Sequence, residues 1–112
     1  MTVMSFQLAE EFPELASELS ELLNRAGEEE LAGTVVELKV LDRCRCGDDF
    51  CATMYTVPRP QGAWGKGHRN VALDPKTGFL ILDVLHERVV EIEVLYRDEV
   101  RRRLLALMPE GS

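Results

Sequence analysis

Between His68 and Leu95 three extended apolar runs are joined by connections of only a few residues, and this stretch constrains the fold more than any other. His68 to Asp74 reads as a strand. Asp74-Pro75-Lys76-Thr77-Gly78 forms a tight turn with proline at its second position, and Phe79 to Leu85 is the next strand. After His86-Glu87-Arg88, the run Val89 to Leu95 alternates, with Val90, Ile92 and Val94 directed inward and Glu91 and Glu93 toward water. Such short connections join antiparallel neighbours and cannot hold a parallel crossover.

Two more strands precede this set. Thr34 to Leu41 sets Val36, Leu38 and Val40 against Glu37 and Lys39. Phe50 to Val57 sets Phe50, Ala52, Met54 and Thr56 against Cys51, Thr53, Tyr55 and Val57. Helices are expected at both ends. From Pro13 to Ala26, Leu15, Leu19, Leu22, Leu23 and Ala26 fall on one helical face, with Pro13 suited to the first turn and Gly27 to the stop. From Asp98, Val100, Leu104, Leu107 and Met108 repeat at helical spacing until Pro109. The reading is a single α+β domain over residues 1–112: an antiparallel five-stranded meander flanked by an N-terminal and a C-terminal helix, in the order α-β-β-β-β-β-α. At 112 residues and 46% hydrophobic content, the chain can bury one core without covalent staples.

The net charge of −7 is localised. Residues 1–33 hold eight acidic side chains and one basic one, Arg25, whereas the rest of the chain is balanced. An acidic N-terminal element repels a phosphate backbone, so nucleic acid is not an expected partner. No run approaches a membrane span, and the opening Met1-Thr-Val-Met-Ser-Phe6 lacks the basic flank and apolar run of a signal peptide, so a cytoplasmic location without membrane association is expected. Glu14, Glu18 and Glu21 lie opposite the leucines of the first helix and keep it solvated. They also offer a face to a basic protein, as in an acidic inhibitor or toxin-neutralising protein. Arg101, Arg102 and Arg103 on the last helix are the internal counterpart that this acidic face can attract.

Chemistry concentrates in Arg43-Cys44-Arg45-Cys46-Gly47-Asp48-Asp49-Phe50-Cys51, which holds all three cysteines of the chain between two strands. In a reducing compartment these are thiols or metal ligands rather than a disulfide framework. Zinc is the candidate cofactor, held by Cys44, Cys46 and Cys51 with His68 as fourth ligand, because three thiolates and one imidazole make a closed tetrahedral site; an alternative is three unligated thiols in a strand connection with no cofactor. Asp48 or Asp49 can replace the histidine. The alternative is a thiol-dependent redox protein or enzyme, in which Arg43 and Arg45 favour thiolates at Cys44 and Cys46 and Cys51 resolves the product, although Asp48 and Asp49 oppose this.

Pro58 to Gly67 is a long loop by composition, and its Trp64, Lys66 and the following His68 form a candidate ligand or partner loop; the alternative is a hairpin loop whose tryptophan folds back on the sheet. It matches neither a P-loop nor a dinucleotide fingerprint. His86 reads as a solvated turn residue. Asp83 interrupts an apolar strand and requires solvent or a partner, for which Arg69 and Arg88 are the candidates. No catalytic residue is assignable, and binding is favoured over catalysis.

Overall fold

A computed structural model describes residues 3–109. Its elements run β1 (Phe6–Gln7), α1 (Leu8–Glu11), α2 (Pro13–Arg25), α3 (Glu29–Thr34), a 3-10 turn (Val35–Glu37), β2 (Lys39–Val40), β3 (Asp42–Arg43), β4 (Met54–Tyr55), β5 (His68–Ala72), β6 (Phe79–Leu85), β7 (Arg88–Leu95) and α4 (Asp98–Leu107). The class is α+β, with a five-stranded antiparallel sheet as expected. No helix among the described residues is long and apolar enough to cross a membrane.

The helical periodicity translates directly into burial. Leu15, Leu19 and Leu23 of α2 and Val100, Leu104 and Leu107 of α4 are buried, and Pro13 occupies the first turn of α2. They pack with Met54, Val71, Leu80, Leu82, Val84, Ile92 and Val94 from one face of the sheet into a common core. Each fully buried leucine stabilises the fold by about 1.5–3 kcal/mol relative to exposure.

Strand order departs from the expected meander. The sheet runs β3-β4-β7-β6-β5, so β4 pairs with β7 and β5 lies at the far edge. The connection from Thr56 to Gly67 makes this affordable: it must cross three strand spacings, about 14 Å, and twelve residues reach well beyond that. The longest apolar strands, β6 and β7, thereby occupy the middle of the sheet, where both edges are paired.

A second correction concerns Thr34 to Leu41, which is not one strand. The chain is helical through Thr34, turns through Val35–Glu37, and only Lys39–Val40 is extended, pairing with β1. Leu31, Ala32 and Val35 form a helical stripe that is buried, while Val36 is 65% exposed. With the chain helical there, Leu31, Ala32 and Val35 take the core side and Val36 turns outward, whereas Val40 is still buried and Leu38 packs against the core. The expected Phe50–Val57 strand is likewise short, reduced to β4 and an isolated bridge between Cys51 and Leu95. Its alternation holds through the middle: Ala52 and Met54 join the core, while Thr53 and Tyr55 are buried outside that core cluster.

The acidic and basic segments do meet: Glu18 and Arg103 are both engaged as expected, but with partners outside the expected sets. Arg97, just before α4, binds Glu18 with both terminal nitrogens at 2.8 and 3.1 Å, and Arg103 pairs with Glu11. Arg102 pairs with Asp98 on its own helix, and Glu21 pairs with Arg25.

Candidate functional site

Register places the polar chemistry of the sheet on the face turned away from the helical core. Asp42 lies opposite Tyr55, Tyr55 opposite Glu91, Glu91 opposite Asp83, and Asp83 opposite Asn70. Two residues along, the Cys44 amide donates to the Thr53 carbonyl, and the register continues to put Thr53 opposite Glu93 on the same face. Two clusters share this face. Cys44, Cys46 and Cys51 lie at one edge; Asp83, Glu91 and Glu93 lie at its centre.

The thiol cluster is built by the β3–β4 connection. Arg43 points into the core, donating to the Met108 carbonyl and, at 3.1 Å, to the Cys44 carbonyl, so alternation turns Cys44 to the outer face. Gly47 then adopts φ +83°, a conformation that costs an L-residue about 1–2 kcal/mol, and reverses the chain. The Cys51 amide donates to the Asp48 carbonyl at 3.3 Å, and the Cys51–Leu95 bridge ties the return to β7. The ligand atoms of the three cysteines lie within 4.8 Å of one another. Cys44 and Cys51 are half-buried and Cys46 is exposed. The Cys51 thiol donates to Thr53 Oγ1 at 3.4 Å.

The electrostatics of this cluster differ from the expected activation by arginine. The Asp48 backbone favours the Cys46 thiolate, but burial and the thiols of Cys44 and Cys51 outweigh it and push Cys46 up to about 11. Arg45 binds Asp42 at 3.2 Å and the Pro109 carbonyl at 3.2 Å, and Arg43 runs beneath the sheet, so neither guanidinium acts on Cys46.

His68 is not brought to the cysteines. It begins β5 at the opposite edge of the sheet, where its Nε2 lies 2.7 Å from Asp83 Oδ1. Asn70 Nδ2 donates to the same oxygen at 2.7 Å. These two are the partners that Asp83 requires. Arg69 instead forms a fork with Glu28 at 2.8 and 2.9 Å and reaches Glu87.

The Thr56–Gly67 connection folds across the outer face. Trp64 is half-buried and donates its indole N–H to Glu91 Oε1 at 3.2 Å, and the Arg59 guanidinium sits 5.1 Å from the centre of the Tyr55 ring. Lys66 is exposed. The His86 ring lies against Gly67, where an added Cβ would come within 2.7 Å of it, so this residue is a packing element of the loop and more than a solvated turn.

Alternation predicts Glu91 and Glu93 in water, yet both are half-buried. Carboxyl–carboxyl contact with Asp83, then burial and the charges of Asp83 and Glu91, push Glu93 up to about 8. Burial and the Asp83 charge also raise Glu91, against the donations from Trp64 and Tyr55. Tyr55 is raised to about 12 by burial, then by Glu91 and Cys44, a measure of how closely the two clusters adjoin. The sequence signal for the carboxylate cluster was Asp83 itself, a charge in an apolar strand; its neighbours required the register.

Comparison with known protein families, characterised proteins and solved structures returns no match to this chain. The functional reading therefore rests on the chemistry of this face.

Proposed function

We propose that the protein is a small binding protein in which Cys44, Cys46 and Cys51 hold a zinc ion that organises the β3–β4 connection. The supporting observation is the convergence of three thiols within 4.8 Å across a glycine reversal in a connection that otherwise has only short strands to anchor it. Around tetrahedral zinc, sulfurs bonded at about 2.3 Å stand roughly 3.8 Å apart, so modest side-chain rotation closes the site. A bound cation replaces the thiol protons and removes the mutual disfavour that now raises Cys46. With His68 engaged at Asp83, the fourth position goes to water or to a donor from a partner.

A redox or nucleophilic role is less well supported. It requires a thiolate near neutral pH, and Cys46 is shifted the other way. The acidic face of α2 remains the surface proposed for a basic protein partner, with Glu14 exposed and available there.

The test is metal content. Protein purified without added metal is expected to carry about one zinc, and cobalt substitution is expected to give thiolate-to-cobalt charge transfer with tetrahedral visible bands. Absence of zinc, together with full reaction of all three native thiols unaffected by added zinc, overturns the reading.

A further inference from the structure

The carboxylate cluster poses a separate problem. Asp83 is 4% exposed, and its Oδ1 is already held by His68 and Asn70 from the β5 side. Its other oxygen, Oδ2, is buried without a hydrogen-bond partner. From β7, Glu93 approaches Asp83 closely enough to hydrogen-bond to it once a proton lies between them. The ligand oxygens of Asp83, Glu91 and Glu93 all lie within 4.8 Å of one another. Three carboxylates in a half-buried space, one with an orphaned oxygen, require either a proton or a cation between them.

We propose that Asp83, Glu91 and Glu93 bind a hard divalent cation of the magnesium or manganese type. The donor set is all oxygen, which favours hard ions over the thiophilic metals suited to the cysteine edge. Oxygens on adjacent positions of an octahedral ion bonded at about 2.1 Å stand roughly 3 Å apart, so the three carboxylates close inward by side-chain rotation and leave the remaining positions to water. The outer groups are those expected around a metal site. His68 and Asn70 orient Asp83 through Oδ1, and Trp64 orients Glu91 through Oε1. The site lies about two strand spacings, roughly 10 Å, from Cys44 and does not depend on zinc there.

Trp64 is the only tryptophan and touches the site, so it reports on occupancy. Titration of the zinc-treated full chain with Tb3+ is expected to give saturable terbium emission excited through Trp64, displaced by Mn2+. Glu93→Gln is expected to weaken binding at least tenfold, and Glu29→Gln, an exposed carboxylate of α3, to leave it unchanged. Glu93→Gln also supplies an N–H to Asp83, so the variant is expected to fold with unreduced thermal stability in the absence of cation. Non-saturable emission, emission equal in Glu93→Gln, or emission equally weakened in Glu29→Gln overturns the proposal. No binding by Tb3+ or Mn2+ in the folded wild type means a shared proton only, and overturns it as well.

Discussion

His68 Nε2 stands 2.7 Å from Asp83 Oδ1, and this contact assigns the histidine to the carboxylates at the centre of the sheet rather than to the cysteines at its edge. His68→Ala is therefore expected to leave zinc stoichiometry unchanged. It costs about 1–3 kcal/mol of stability, because it removes one of two donors to a buried carboxylate. Zinc content and urea unfolding of the same preparation check both halves, and loss of zinc in this variant would contradict the assignment.

Zinc should couple to stability through the thiols. At a free concentration about 100 times its Kd, a ligand that binds only the folded state adds about 2.7 kcal/mol. In buffer free of Mg2+ and Mn2+, a chelator is expected to lower the wild-type unfolding midpoint, and Cys46→Ser or Cys51→Ser to abolish the chelator's effect. A chelator effect that persists in both variants would place the metal elsewhere.

Gly47→Ala is expected to cost about 1–2 kcal/mol, since φ +83° penalises an L-residue although the space beside it is open. Gly47→Asn should cost less, because asparagine tolerates left-handed backbone. Equal losses in denaturant unfolding would mean that the reversal is not held in this conformation.

Gly78→Ala should be far worse. Its Cβ would lie 2.4 Å from the Leu95 carbonyl oxygen at φ +71°, and both the strain and the clash fall on backbone at the β6–β7 pairing. A loss above about 2 kcal/mol is expected in thermal or urea unfolding, against a negligible change for Gly62→Ala, where nothing lies within 4 Å. Comparable effects at the two glycines would contradict this packing.

The fork between Arg69 and Glu28 carries a pH dependence of definite sign. Hydrogen bonding from Arg69, and then its charge, hold the Glu28 carboxyl below its ordinary value despite some desolvation. Its contribution is present above the unfolded-state value and is lost as pH falls through the lowered folded value. In Arg69→Gln the Glu28 titration followed by carbon NMR should move upward toward the ordinary carboxylate range, and an unchanged midpoint would remove Arg69 as the cause.

What the sequence determined by itself was local: the two amphipathic helices, the turn at Asp74–Gly78, the antiparallel pairing of Phe79–Leu85 with Val89–Leu95, and the meeting of three cysteines within one short connection. Each follows from periodicity or chain reach within a few residues. Alternation on Phe50–Val57 also put Thr53 and Tyr55 together on the face opposite Ala52 and Met54, although the same pattern gave way to a helical stripe at Val36. Tertiary structure alone decided that β5 lies beyond β6 and β7, because a glycine- and proline-rich loop can return to either edge and only the pairing of the long strands selects one. That choice carried His68 away from Cys44 and delivered it to Asp83, and it drew the connecting loop across the outer face, where Trp64 reaches Glu91. Residues far apart in the chain became one polar face through register, a property of paired strands that no single strand contains.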